Sequence, residues 1–100
     1  MDDKMIAGDY EHETGFQIMN CLREKKLSHE DVEMILVGNH APFTWGKTPE
    51  KAVYNSAVLE ALARMAFLTR QIRPDAPRLQ DSLIRKHHQR KHGPDAYYGQ

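Results

Sequence analysis

The feature that most constrains this chain is a run of four apolar residues at positions 34–37, closed by Gly38 and Asn39. A short apolar run bounded by turn residues is typical of a buried strand. Residues 42–45 predict a second short strand, and Gly46 marks a turn after it. A buried strand needs a neighbour on each side, and this chain supplies one at most. The sequence therefore predicts part of a larger sheet, or a sheet completed by association.

Three helices are predicted around these strands. The first spans about residues 9–26, with Asp9 as a plausible N-cap. The second begins at Thr48 and Pro49, a favourable cap and first position, and extends to about residue 70. The third spans about residues 77–92 and is stopped by Gly93. The second helix has the clearest apolar face, which consists of Val53, Ala57, Ala61, Met65 and Leu68. The expected fold class is α/β.

Charge is balanced overall but unevenly distributed. Residues 1–33 contain nine acids and four bases, and residues 34–100 contain five acids and ten bases. Many of the bases lie between residues 78 and 92, without interleaved aromatic residues for base stacking. We interpret this segment as a solvated helix face and expect no nucleic-acid partner.

The remaining composition favours a cytoplasmic protein. No apolar run approaches the roughly 18 residues of a membrane span, so no membrane partner is expected. The first residues lack the basic and apolar segments of a secretory signal. The single cysteine, Cys21, fits a reducing compartment because it has no partner for an internal disulfide.

Several histidines can carry chemistry, but each has a plainer explanation. His40 follows the apolar strand, where it is either a metal ligand or an ordinary surface histidine. His87 continues the face of Leu79 and Leu83, as a core histidine or a residue directed at a site. His88 and His92 are spaced i, i+4 and can face one metal. No acid separates them, so we favour two cationic residues near a helix C-terminus.

Glu11 and Tyr98 are also ambiguous from the sequence alone. Glu11 belongs to an acidic segment that suits the first turn of a helix, where the helix dipole stabilises negative charge. Tyr98 is either a packing anchor in the C-terminal tail or a general acid, if a nearby cation lowers the pKa of its phenol.

Several segments together resemble the C-terminal half of the L-ribulose-5-phosphate 4-epimerases, within the class II aldolase family. They are Gly8-Asp9-Tyr10-Glu11, Thr14-Gly15, Ile35-Leu36-Val37-Gly38-Asn39-His40-Ala41-Pro42-Phe43-Thr44-Trp45-Gly46-Lys47, Ala52-Val53-Tyr54-Asn55 and the ending Ala96-Tyr97-Tyr98-Gly99-Gln100. The resemblance implies an α/β/α sandwich around a largely antiparallel sheet, assembled as a homotetramer. It also implies a divalent metal, usually zinc, and retro-aldol cleavage and re-addition that invert C4 of a sugar phosphate.

The resemblance also implies roles for individual residues. His40 is similar to a metal ligand, and Tyr98 to a tail tyrosine that exchanges a proton with the C4 oxygen. His87 and Glu11 resemble positions near that site, where His87 helps orient or protonate the substrate and Glu11 gives polar support. No residues are assigned to an organic cofactor.

Residues 1–100 are expected to be the C-terminal portion of the domain, without the half that supplies two further metal histidines, an acidic catalytic residue and the phosphate loop. A single histidine does not hold catalytic zinc, so the chain alone is expected to be incomplete. Two alternatives remain open: a sugar-phosphate aldolase of the fuculose-phosphate type, and a non-catalytic remnant.

Overall fold

The computed structural model describes residues 2–94 of the chain. These residues form four helices and a two-stranded antiparallel sheet, which confirms the predicted α/β fragment. Contacts divide the chain into two compact units, Met1–Ala66 and Phe67–Gln100. The elements in chain order are α1 (Asp3–Ala7), α2 (Tyr10–Glu24), β1 (Met34–Leu36), β2 (Pro42–Thr44), α3 (Pro49–Ile72) and α4 (Asp81–His92).

Helix α1 is an addition to the three helices that the sequence predicted. Asp2 caps it by accepting a hydrogen bond from the backbone N–H of Met5 at 3.0 Å. It contacts α2 through Gln17, whose Nε2 lies 3.3 Å from the sulfur of Met5. A helix of five residues has too few turns to show an apolar period, so sequence periodicity missed it.

Helix α2 begins where its sequence predicted. The side chain of Asp9 accepts a hydrogen bond from the N–H of His12 at 3.3 Å. Thr14 is buried, and its hydroxyl donates to the carbonyl of Tyr10 at 2.8 Å. Leu22 is the one buried apolar side chain among the described residues. The core of the first unit is therefore small and lies along α2.

Strands β1 and β2 form a hairpin with Ile35 opposite Phe43. The predicted burial of β1 is wrong within this chain, because Met34 and Ile35 are half-buried and Leu36 is 65% exposed. Phe43 and Trp45 are also half-buried. Among residues 2–94 no third strand pairs with either edge of this sheet. The apolar strand is present without the surroundings that would bury it.

A set of polar contacts fastens β2 to α3, and we call its residues the strand–helix clamp: Glu33, Thr44, Trp45, Gly46 and Asn55. The Asn55 amide donates to the Trp45 carbonyl and to Glu33 Oε2, both at 2.8 Å. The Thr44 hydroxyl donates to the carbonyl of Ala52 at 3.0 Å. Asn55 is 4% exposed, so its two hydrogen bonds are shielded from water.

Gly46 belongs to the clamp because the chain passes very close to α3 at this point. A Cβ atom on Gly46 would lie 2.6 Å from Cγ of Lys51 and 3.2 Å from the backbone nitrogen of Ala52. Lys51 also lies near the clamp, with its Nζ 3.9 Å from Glu33 Oε2. Glycine is therefore required here by contact rather than by an unusual backbone conformation.

Helix α3 begins at Pro49, as predicted, and ends at Ile72, close to the predicted end at about residue 70. The hydroxyl of Thr48 accepts a hydrogen bond from the N–H of Lys51 at 3.1 Å, as expected of a cap. Its apolar face, however, is exposed: Val53 by 70%, Met65 by 56% and Leu68 by 50%. The periodicity correctly predicted a helix, but the described part of the chain does not bury its face.

The second unit contains α4 and the segment that leads to it. Arg70 Nη1 donates to the carbonyl of Pro74 at 2.7 Å and holds the turn after α3. Helix α4 begins at Asp81 rather than at about residue 77, because Gln80 has extended backbone angles. It ends before Gly93, as predicted. No described helix has the length and apolar character needed to cross a membrane.

Candidate functional site

The loop that connects β1 to β2 carries His40, the predicted metal ligand. It turns tightly because the N–H of His40 donates to the carbonyl of Val37 at 3.1 Å. Asn39 has a φ of 58°, in the left-handed region that asparagine tolerates better than most residues. The backbone conformation of the Gly38-Asn39 pair therefore determines the position of His40 on the hairpin loop.

Two elements, α2 and β2, each place an aromatic ring against the imidazole ring of His40. The ring of Tyr10, the first residue of α2, lies 5.3 Å away at an interplanar angle of 29°. The ring of Phe43, in the middle of β2, lies 5.4 Å away at 26°. These contacts restrict the ring orientation, while His40 as a whole stays exposed and accessible to a ligand. Sequence reasoning missed the contact with Tyr10.

Glu11 follows Tyr10 in the first turn of α2, so it lies close along the chain to the aromatic contact with His40. Its side chain is exposed and borders a shallow, mostly apolar hollow with His12, Gly15, Phe16 and Met19. The acidic first turn that the sequence predicted is present, with Glu11 and Glu13 at a helix start.

The other two predicted site residues lie outside the first unit. His87 is an exposed residue of α4 and belongs to the second unit, so the described chain does not make it a core histidine. Tyr98 lies outside the described residues.

The donor set for a metal is incomplete within residues 2–94. No group of three His, Cys, Asp or Glu side chains in this range is arranged to hold a metal ion. Catalytic zinc sites normally use three protein ligands. His40 is accessible and held by its neighbours, as a ligand must be, but it fits a catalytic metal only together with ligands from elsewhere.

The clamp gives a structural role to residues 43–46, which belong to the longest segment of the family resemblance. Phe43 contacts His40, while Thr44, Trp45 and Gly46 make the contacts to α3 described above. The indole N–H of Trp45 also donates to the carbonyl of His29 at 2.7 Å. Residues 43–46 thus connect the His40 loop to a long helix.

Comparison with known proteins decides the family. The model for the class II aldolase and adducin N-terminal domain matches residues 6–67, which include α2, the hairpin, the clamp and most of α3. The chain belongs to the class II aldolase and adducin family. This match confirms the resemblance that the sequence motifs indicated.

Curated relatives within this family match the chain from end to end. L-ribulose-5-phosphate 4-epimerase UlaF of Salmonella paratyphi A and that of Salmonella typhi are each 43% identical over 100 residues. The protein of the same name from Salmonella choleraesuis is 42% identical over the same length. In each case the match covers 100% of this chain and 43% of the relative. The chain thus spans less than half the length of these relatives.

Proposed function

We propose that the chain forms part of a metal-dependent epimerase that interconverts L-ribulose 5-phosphate and D-xylulose 5-phosphate. The observation that carries this proposal is the 43% identity, over all 100 residues, to proteins named L-ribulose-5-phosphate 4-epimerase. Membership of the aldolase family fits the chemistry, because inversion at C4 can proceed through cleavage and re-formation of the neighbouring C3–C4 bond.

In the proposed reaction, the C4 hydroxyl loses its proton as the C3–C4 bond breaks. The bonding electrons move toward the C2 carbonyl, and glycolaldehyde phosphate is released within the site. After that fragment turns, the enediolate attacks its other face and the C4 oxygen regains a proton. We assign this proton exchange to Tyr98 as general acid and base. We assign His87 to orienting or protonating the substrate, and Glu11 to polar support.

We further propose that His40 is one ligand of a divalent metal, with zinc favoured because imidazole is a good ligand for it. When bound, the metal supplies Lewis-acid stabilisation of negative charge on the substrate oxygens. The contacts from Tyr10 and Phe43 support this assignment, because they fix the ring that must meet the ion. The other ligands come from outside residues 2–94.

The assembly is also part of the proposal. Residues 1–100 correspond to the C-terminal portion of the enzyme, and the rest of the domain supplies the missing ligands and the phosphate loop. We propose a homotetramer that acts in pentose-phosphate metabolism in the cytoplasm. The exposed apolar faces of β1 and α3 support association with further polypeptide, since isolated large apolar patches are uncommon on monomers.

The test is complementation with the missing portion. We expect the 100-residue chain alone to bind zinc weakly and to show no epimerase activity. Co-expression with the part of a Salmonella relative that this chain does not match should restore turnover of L-ribulose 5-phosphate. His40→Ala should then remove at least about 99% of that activity, because one of three metal ligands is lost.

His12→Ala is the matched control, because His12 is also exposed but contacts only the edge of the Phe16 ring among aromatic neighbours. This variant should keep the restored activity. Turnover by the purified chain alone would contradict the requirement for the missing portion. A folded complex without epimerase activity that cleaves a sugar phosphate would instead support the aldolase alternative, and one without either activity the non-catalytic remnant.

A further inference from the structure

Helix α4 carries a pair of histidines that the proposed reaction does not use. His88 and His92 are one helical turn apart, and their ring centroids lie 4.8 Å apart at an interplanar angle of 28°. The sequence interpretation weighed a shared metal for this pair but favoured two cationic residues near a helix C-terminus. The structure adds that both side chains have turned toward each other on one face of the helix.

We propose that His88 and His92 form a bidentate binding site for a divalent transition metal, separate from the metal assigned to His40. Residues at i and i+4 of a helix are surface neighbours, and paired histidines at this spacing on one helix can bind one ion. Two imidazole nitrogens that share an ion at about 2.0–2.1 Å each must lie close together. Because the rings already adjoin, side-chain rotation alone brings them there, and the helix backbone stays in place.

The ligand type selects the class of metal. Imidazole suits Zn²⁺, Cu²⁺ and Ni²⁺, whereas Mg²⁺ and Ca²⁺ require oxygen ligands. The neighbouring residues Arg90 and Lys91 are cationic and offer no oxygen ligand from their side chains. Water therefore fills the remaining positions, and this site is weaker than a structural zinc site with four protein ligands. Among the three ions, Cu²⁺ should bind most tightly.

Binding should also stabilise α4. The two rings meet one ion only while residues 88–92 are helical, and an ion that binds the helical form shifts the equilibrium toward it. The site lies in the last turn and a half of the helix, immediately before Gly93, where helices fray most readily. A metal added to the chain should therefore raise both the helix content and its resistance to heating.

The experiment uses the 100-residue chain with NiCl₂ and ZnCl₂, measured by isothermal titration calorimetry and by circular dichroism during heating. His88→Ala and His92→Ala should each weaken Ni²⁺ binding by roughly 10- to 100-fold, because the second ligand no longer acts within the same molecule. Both variants should also lose the metal-induced gain in helix stability.

His87→Ala is the matched control, since His87 is exposed on the same helix but lies five residues from His92. It should bind Ni²⁺ within about twofold of the unmodified chain, and so should His40→Ala. Spectra without metal establish that each variant keeps its helix. Equal loss of binding in the His87 and His88 variants, loss in the His40 variant, or no binding by the unmodified chain would overturn the proposal. Failure of the epimerase assay would not count against this metal site, because calorimetry and circular dichroism do not depend on epimerase activity.

Discussion

Among individual residues, Asn55 makes the most consequential polar contacts. It is an uncharged side chain that satisfies a backbone carbonyl and a carboxylate at once, in a part of the molecule closed to water. Removing such a donor leaves two acceptors without their partner, and that loss costs more than the hydrogen bonds themselves contribute. The sequence placed Asn55 correctly on a helix but gave no sign of this role, because its partners are 10 and 22 residues away.

Asn55→Ala should lower the free energy of unfolding by about 2 kcal/mol, since both acceptors lose their donor. Trp45 is the only tryptophan of the chain, so its fluorescence during urea unfolding reports directly on the clamp. Glu60→Ala is the control, because Glu60 is exposed on the same helix. An unchanged urea midpoint for Asn55→Ala would contradict the importance of the clamp.

Tyr10 should act as a positioning residue for His40. In the complemented enzyme, Tyr10→Ala should weaken zinc binding by about tenfold, as loss of residues that orient metal ligands commonly does. Tyr10→Phe keeps the ring and should keep the affinity. NMR spectra of the chain should show the ring protons of His40 moving in the alanine variant and staying nearly constant in the phenylalanine variant. Equal losses of affinity in both variants would assign the effect to the hydroxyl.

At the scale of the helices and strands, the sequence predicted helix ends correctly but predicted burial poorly. Asp9, Thr48 and Gly93 marked two helix starts and one helix end correctly, because capping depends on neighbouring residues in the chain. The burial of β1 was predicted wrongly, because burial depends on what packs against an element. The contact of Tyr10 with His40 joins residues 30 positions apart, which no local pattern reveals.

Two glycines with opposite surroundings provide a matched test at this scale. Gly15 lies inside α2, and a Cβ atom added there would have no atom within 4 Å apart from the backbone of its own helix. Gly15→Ala should therefore stabilise the chain by about 0.5–1 kcal/mol. Gly46→Ala should destabilise it by about 1–3 kcal/mol, because the new methyl group overlaps Lys51. Urea unfolding measures both changes. A stabilising effect at Gly46 would show that Lys51 moves aside without loss.

For the whole molecule, the main feature is apolar surface that the described residues leave uncovered. Only Leu22 is a buried apolar side chain among them, whereas Leu36, Val53 and Met65 are largely exposed. The family and the α/β class could be predicted from the sequence, because motifs and periodicity are local. The complete catalytic site could not, because no group of three potential ligands is arranged to hold a metal among residues 2–94.

The uncovered surface predicts how the chain behaves in solution. The 100-residue chain should bind the dye ANS, which fluoresces at accessible apolar surface. Complementation with the remaining part of a relative should reduce that fluorescence severalfold as the faces of β1 and α3 become covered. Leu36→Lys should weaken the complementation, and Lys47→Ala, at an exposed polar position, should not. Unchanged dye fluorescence after complementation would place the association surface elsewhere.

The left-handed backbone at Asn39 has a consequence for how this loop can change over time. Only glycine, asparagine and aspartate occupy that conformation at small steric cost, so other side chains there would rotate the peptide that leads into His40. Through its backbone conformation, Asn39 thus restricts where the side chain of the neighbouring His40 can lie. Few residue types should therefore occur at position 39 among natural variants, because the backbone there is left-handed and not because of side-chain chemistry.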